Sequence, residues 1–325
     1  MKWIENYSMN PAFHHALEEY LLKETEEEIF ILWRNHPTVL IGRNQNIYRE
    51  VNLSFCQDHG IQVIRRLSGG GAIYTSPLSF QYSFITNEGE QSSFEAFAKP
   101  VIKALKALDC PCEFTGRNDI LLDGKKISGN AQYHFQNKVL HHGSILFDAN
   151  LEEMKESLKP NPAKFKKKNI DSVLSRIGLI KDYISMDLYE FRRYLIEYVK
   201  DYHQIEARYL LDSSDLQRIF EIQKERFDNP KWNYGRNPKT KMEFTRIHTC
   251  GILEFGIEIR DGFLDNIVIE GDFFGEKPIE ELEDHLRQRA YTPAILEECL
   301  ENIDVSKYIK GLRKEELLRD LLIER

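Results

Sequence analysis

Two arginines run directly into three glycines in Arg65-Arg66-Leu67-Ser68-Gly69-Gly70-Gly71-Ala72-Ile73-Tyr74. Consecutive glycines allow unusual backbone angles and let a ligand approach the main chain closely. The N–H groups of such a turn can form an anion-binding nest. The paired arginines could add bidentate, charge-assisted contacts to a phosphate. The segment is neither a P-loop, since no Gly-Lys-Ser/Thr follows, nor a dinucleotide fingerprint, since its glycines are wrongly spaced. Taken alone, it serves a tight strand connection as readily as an anion.

A second polar segment is Gly116-Arg117-Asn118-Asp119, followed by Ile120 to Leu122 and Asp123-Gly124-Lys125-Lys126-Ile127-Ser128-Gly129-Asn130-Ala131-Gln132. Asp123-Gly124 between apolar runs predicts a hairpin turn. Strict alternation places Lys126, Ser128, Asn130 and Gln132 on one face, with Lys125, Ile127, Gly129 and Ala131 on the other. That polar row could line a ligand site or simply be a solvated strand face. A third segment, His141-His142-Gly143-Ser144, suggests metal or acid–base work. Adjacent strand residues point to opposite faces, however, so the two rings cannot easily share an ion, and at least one is expected to be structural. Cys110-Pro111-Cys112 could be half of a metal site, but a second matching pair is missing, and buried thiols are the simpler reading.

The elements that must hold these residues are short. A helix is expected over residues 11 to 27, with Phe13, Leu17, Tyr20 and Leu21 at helical spacing. Strands are expected at Ile29 to Trp33, Thr38 to Ile41, Gln62 to Ile64, Ala72 to Tyr74 and Phe80 to Ile85. Phe94 to Leu108 reads as a helix that Pro100 starts or kinks. Strands follow at Ile120 to Leu122, Lys126 to Gln132 and Leu140 to Phe147, and helices dominate roughly 150 to 228. Phe227 to Pro238 is rich in turn formers and reads as a linker. Three strands from Met242 to Gly271 and two or three helices complete the chain. Strands followed by helices, twice over, give an α+β class, with a large domain at 1–235 and a small α+β domain at 242–325.

The 325 residues and 42% hydrophobic content supply ample core for about two domains. A net charge of -8 argues against general nucleic-acid binding. No apolar run approaches the roughly 18 residues of a membrane span, and the amino terminus resembles neither a signal nor a transit peptide. Five scattered cysteines suit a reducing cytosol, so a cytoplasmic location is expected.

Taken together, the three polar segments and Trp33-Arg34-Asn35-His36-Pro37-Thr38-Val39-Leu40-Ile41-Gly42-Arg43-Asn44-Gln45-Asn46 closely resemble the lipoate–protein ligase family, within the biotin/lipoate ligase fold of mixed sheets and helices. The helix Asn10 to Tyr20 and the loop Ser172-Val173-Leu174-Ser175-Arg176 match as well. So does Gly271-Asp272-Phe273-Phe274-Gly275, in what would be the accessory domain. The resemblance implies activation of lipoate by ATP to lipoyl-AMP, then transfer to a lysine of a 2-oxoacid dehydrogenase E2 lipoyl domain or a glycine-cleavage H-type protein. It implies that Arg66 and the backbone of Gly71, Ala72, Ile73 and Tyr74 bind nucleotide. It makes Lys126 the catalytic lysine, touching phosphate and lipoyl carboxyl oxygens. Asn118 and Asp119 fall at nucleotide contacts, with Asp119 a candidate Mg²⁺ ligand. Leu17 and the apolar neighbours of the glycine turn are candidates for the dithiolane tunnel.

One stretch departs from the family pattern. Relatives carry a His-Asp and then a Gly-Asn after the glycine turn, whereas this chain has Thr75-Ser76-Pro77-Leu78-Ser79, so an atypical acyl substrate or acceptor range is expected. The nearest rival function is an ATP-independent lipoyl or octanoyl amidotransferase using Cys112 as a thioester nucleophile. Against it stands the intact Gly116 to Asp119 segment. A biotin ligase would need a basic glycine-arginine signature that is missing. A silent lipoyl-binding module would not need Lys126. The basic run Lys164-Phe165-Lys166-Lys167-Lys168 could dock an acidic acceptor or be a solvated loop.

Overall fold

A computed structural model describes residues 1–89, 92–158, 176–234, 242–260 and 262–322. The Lys164 to Lys168 run and residues 172–175 of the expected adenylate loop lie outside these residues. The chain is α+β, as expected from its sequence. Its strands are β1 (Lys2–Ile4), β2 (Ile29–Trp33), β3 (Thr38–Ile41), β4 (Gln62–Arg65), β5 (Ile73–Thr75), β6 (Phe80–Asn87), β7 (Cys112–Thr115), β8 (Asp119–Leu122), β9 (Lys125–Phe135), β10 (Lys138–Ile145), β11 (Met242–His248), β12 (Gly251–Arg260) and β13 (Phe263–Gly271). Seven form one sheet in the order β1-β2-β6-β10-β9-β8-β7, antiparallel except for the β1–β2 pair. A small sheet, β4-β3-β5, and a third sheet, β11-β12-β13, complete the set.

Both faces of the large sheet are covered, so its central strands are almost wholly buried. On one face, Phe30, Tyr82, Phe84 and Val139 pack under the helices Phe94–Lys106 and Leu188–His203. The first of these helices runs through Pro100. On the other face, Ile31, Trp33 and Ile85 meet the helix Pro11–Glu24, which starts at an Asn10 cap with Pro11 in its first turn. Leu40 and Ile64 bring the small sheet onto this second face. Residues 242–322 build a separate core, in which Leu253, Phe255, Ile257 and Ile269 are covered by the helices Ile279–Leu286, Pro293–Leu300 and Lys314–Leu321.

Part of the expected linker is anchored instead of free. Pro230–Tyr234 is a helical turn, and Trp232 Nε1 donates to the Arg65 carbonyl at 2.7 Å. The Arg65 side chain is fully buried and donates to the carbonyls of Gly42, Arg43, Gln45, Trp232 and Asn233. Turn-forming composition therefore marked an irregular segment whose backbone carbonyls are satisfied by one guanidinium.

Candidate active site

A cavity of about 340 Å³ lies between the large sheet and the glycine turn. Lys126, Gly129 and Ala131 of β9, His142 and Ser144 of β10, Gln81 of β6 and Trp33 of β2 form its floor. Gly70 to Ile73 and Leu40 cover it, His15 enters from the first helix, and Arg117, Asn118 and Asp119 close one end with Asp272.

Lys126 reaches the cavity by a route that strict alternation misses. In the β8–β9 ladder, Ile120 pairs with Ser128 but Leu121 pairs with Lys126, so Ile127 is the extra residue of a β-bulge. The bulge moves Lys126 onto the face of Gly129, where an added Cβ would stand 3.2 Å from Lys126 Nζ. Ser128, Asn130 and Gln132 turn the other way, and Asn130 and Gln132 bond the buried His141 ring at 3.1 and 3.2 Å. The expected polar face thus splits: its lysine lines the cavity, Asn130 and Gln132 satisfy a buried histidine, and Ser128 Oγ accepts from Asn130 Nδ2 at 3.4 Å. Segment 176–178 clips the bulge, with Lys126 N donating to Arg176 O at 2.6 Å and Gly178 N donating to Lys126 O at 2.9 Å. The Lys126 ammonium pairs with Asp119 Oδ1 at 2.8 Å, and both side chains remain partly exposed, 43% and 33%. Such a solvated pair is worth little, so a polyanion can take the ammonium at small cost.

Arg66 is the opposite case. It is buried, and Nε donates to Ser68 Oγ at 3.1 Å, Nη1 to the Leu40 carbonyl, and Nη2 to the carbonyls of Gly69 and Gly71 at 2.7 and 2.8 Å. Burial pushes its guanidinium down to about 10, against the pull of Glu18. It lines the cavity while its donors hold the glycine turn in shape. The turn is also fixed from the carboxy-terminal region. Gly70 N, at φ 88°, donates to the Phe273 carbonyl at 3.1 Å, and a Cβ on Gly69 would stand 2.2 Å from that oxygen. Arg117 lies over the Phe274 ring at 4.8 Å. Arg65, the other half of the arginine pair, does not line the cavity. Tyr74 turns its side chain away to donate to Glu153.

At the cavity wall, His15 and His142 belong to a cluster that the sequence reading did not assemble. Glu18 Oε1 accepts from Ser83 Oγ at 2.6 Å and from His142 Nδ1 at 3.0 Å, and Oε2 accepts from His15 Nδ1 at 2.8 Å. His142 Nε2 accepts from Ser68 Oγ at 2.6 Å, and Ser68 Oγ accepts from Arg66. This proton placement satisfies each of these contacts at once, so the cluster needs no ion to bind it together. Burial alone would raise the Glu18 carboxyl, but His142 and His15 hold it well below the usual carboxylate range. Burial lowers His15, against the pull of Glu18. The paired histidines divide as expected: His142 faces the cavity, and His141 stacks on Phe97 at 4.8 Å, burial keeping it far below its ordinary value.

A family model for the lipoyl protein ligase A/B catalytic domain matches residues 10–200, and one for the bacterial lipoate protein ligase C-terminus matches residues 237–321. The chain belongs to the lipoate–protein ligase family. It is 35% identical over 327 residues to lipoate-protein ligase LplJ of Bacillus subtilis, covering 98% of this chain and 99% of that one. It is 34% identical to lipoate–protein ligase 1 of Staphylococcus aureus, over 98% and 99% of the two chains. Among solved structures, P. falciparum LipL1 in complex with lipoate shares the fold with a TM-score of 0.80 at 22% identity, over 99% of this chain and 98% of that one.

Within this member of the ligase family, the cysteine alternatives find no place at the cavity. Cys110 and Cys112 are buried, neither lines the cavity, and burial pushes the Cys112 thiol up to about 12. Thr75 to Ser79 also lie off the cavity wall. Thr75 Oγ1 accepts from Asn35 Nδ2 at 3.0 Å, and Ser76 and Ser79 close a turn on each other. Leu17 is buried in the core beneath the first helix and does not line the cavity, whose apolar surface comes from Trp33, Leu40, Ile73 and Ala131. No helix among the described residues is long and apolar enough to cross a membrane.

Proposed function

We propose that this chain activates lipoate with ATP, as lipoyl-AMP, and then transfers the lipoyl group to a lysine of an acceptor protein. The observation that carries this reading is the Lys126 ammonium, half exposed in a cavity roofed by a glycine turn. Lys126 is the catalytic residue. It leaves Asp119 for the α-phosphate and carboxylate oxygens, where it offsets the charge that develops as the acyl–phosphate bond forms. The same cation then stabilises the carbonyl oxygen while the acceptor amine attacks and AMP departs.

The cavity suits a nucleotide because its roof has no room for side chains. A Cβ on Gly70 would stand 2.9 Å from the Phe274 ring. The backbone of Gly71, Ala72, Ile73 and Tyr74 holds phosphate, and Arg66 keeps that backbone in place. Asn118 and Asp119 contact the nucleotide, and Asp119, once released by Lys126, is the carboxylate that would hold Mg²⁺. A bound Mg²⁺ supplies neutralisation of phosphate charge. Residues 1–235 form the catalytic domain, and 242–325 an accessory domain that presses Asp272 and Phe273 against the turn. The acceptors are E2 lipoyl domains and the glycine-cleavage H-type protein, met in the cytoplasm. A structure of a bipartite lipoate ligase with its E2 lipoyl domain from Thermoplasma acidophilum, at a TM-score of 0.65, supports a lipoyl-domain acceptor.

The test is lipoate-dependent exchange of labelled pyrophosphate into ATP, followed by lipoylation of purified acceptor domains. Exchange that requires both lipoate and ATP is the expected result. Acyl transfer from a lipoylated donor without ATP would overturn it.

A further inference from the structure

Beside Lys126 and Arg66, the cavity wall carries Arg117. It sits at the tip of the turn Gly116-Arg117-Asn118, which joins β7 to β8 and is closed by the Thr115–Asp119 pair, with Gly116 at φ 59°. The base of this turn is pinned to β9. Asn118 Nδ2 donates to the Asn130 carbonyl at 2.6 Å, and Asn130 N donates to the Asn118 carbonyl at 2.9 Å. The Arg117 side chain is held far less firmly. It is exposed, its guanidinium lies 4.8 Å from the centre of the Phe274 ring, and Nη2 makes a long contact to the Asp272 carbonyl at 3.4 Å. Both contacts are to uncharged groups, and the second is at the limit of a hydrogen bond.

The place of Arg117 in the sheet gives its charge a direction. Lys126 stands on β9. To one side lie β10, β6 and β2, the last carrying Trp33 of the apolar wall; to the other lie β8, β7 and the turn with Arg117. Displacement at phosphorus keeps the attacking and leaving oxygens roughly in line. An acid whose tail rests against Trp33 brings its carboxylate to the α-phosphorus from the β10 side. As the new oxygen–phosphorus bond forms, the bond from that phosphorus to the bridging oxygen breaks on the β8 side. Pyrophosphate then carries the electron pair away toward Arg117. Arg66 cannot take this anion, because its donors are committed to Ser68 and to the Leu40, Gly69 and Gly71 carbonyls. Lys126 stays with the α-phosphate, and a triphosphate carries more negative charge than one ammonium and one divalent cation offset together.

Resting on the ligase reading above, we propose that Arg117 is the residue that holds the leaving pyrophosphate. Its planar fork meets two phosphate oxygens at once. It gives up the Asp272 carbonyl and the Phe274 ring for them at small cost. Arg117 therefore serves adenylation alone, since no pyrophosphate remains when the acceptor amine attacks.

The test sets Arg117→Ala and Arg117→Lys beside wild type in calorimetric titration with inorganic pyrophosphate and Mg²⁺, in single-turnover adenylation, and in transfer from preformed lipoyl-AMP. Arg117→Ala should weaken pyrophosphate binding and slow adenylation by about ten- to a hundredfold each, the order of a hydrogen bond to a charged group. Its transfer rate and its urea midpoint should stay near wild type, the side chain being exposed. Arg117→Lys should recover part of both losses, because the charge returns without the fork. That split separates Arg117 from Lys126, whose loss slows both half-reactions. Pyrophosphate affinity unmoved by Arg117→Ala would overturn the proposal, while lipoate-dependent exchange by the wild type would keep the ligase reading standing. Equal loss of adenylation and transfer would overturn it too, and would make Arg117 a brace between the turn and Phe274. Wild-type protein that exchanges no pyrophosphate into ATP with lipoate present would defeat the ligase reading itself, and the proposal with it.

Discussion

Lys126 and Arg66 are cations on the wall of one cavity, but they stand in different physical situations. The ammonium shares one solvated contact with Asp119, while the guanidinium is buried and joined through Ser68 and His142 to the Glu18 carboxylate. A charge that water still screens is free to exchange partners, whereas a desolvated charge must keep the partner that compensates its burial. The first end of the cavity is therefore suited to a ligand that arrives and leaves charged. The second fixes the shape of the turn.

The largest effect should come from the exchangeable end. Lys126→Ala should lower single-turnover adenylation, and transfer from preformed lipoyl-AMP, by about 10²–10³-fold each. Its urea midpoint should stay near wild type, because the lost pair is solvated. Lys125→Ala, on the exposed side of the hairpin, should change either rate by less than about twofold. A Lys126→Ala protein that loses stability as well as rate would put the two cations in the same class.

At the buried end the signs reverse. Glu18→Gln removes the anion that compensates Arg66 and puts an N–H₂ group where three donors converge. A loss of about 3 kcal/mol or more in unfolding free energy is expected, read from urea melts at neutral pH. A loss under about 1 kcal/mol would show that the cluster is not coupled as its contacts indicate.

The same buried region should govern acid sensitivity. His14, His15 and His141 each sit below their ordinary value, burial being the leading cause, and His14 is brought down to about 4. The unfolded chain binds protons on these rings from about pH 6.5 downward, and the native rings do so only at lower pH. Their contribution is thus present above pH 6.5 and lost as pH falls toward 4, at about 1.4 kcal/mol per pH unit for each ring that titrates only when unfolded. Glu18 adds its own loss only below about pH 4.3, where the unfolded carboxyl protonates. Urea midpoints between pH 7 and 4.5 would check this. A flat profile there would mean that the histidines are not held neutral.

Much of this was legible from residue types. The hairpin at Asp123-Gly124, the glycine turn and the division of His141 from His142 follow from local rules that packing did not override. The position of Lys126 within the cavity did not follow, because a bulge depends on how β8 pairs with β9, and alternation counted along one strand is blind to it. The Arg65 cage was hidden for a related reason: its carbonyl partners come from segments 20 and 168 residues away. The Glu18 cluster joins residues from a helix, a turn and two strands. The His14-His15 pair in the first helix is the signal in the sequence that points to it.

The smallest expected effect separates the two faces of the large sheet beside the cavity. A methyl at Gly129 would stand 3.2 Å from Cε and Nζ of Lys126 and 3.9 Å from Asp119 Oδ1. The far end of a lysine moves aside easily, so Gly129→Ala should fold with little change in its melting temperature. It should nonetheless displace the ammonium by a few tenths of an ångström. If a 1 Å misplacement costs about 10²-fold, a loss of roughly two- to fivefold in adenylation is expected, with octanoate and lipoate affected alike. Gly143→Ala is the control on the opposite face, where a Cβ would stand 2.3 Å from Asn130 Oδ1 and 2.6 Å from the Tyr82 ring. These groups cannot retreat from a packed core, so that variant should lose about 1–3 kcal/mol of stability. If Gly129→Ala is the unstable protein and Gly143→Ala the slow one, the bulge at Ile127 has been assigned to the wrong side, and Lys126 does not face the cavity.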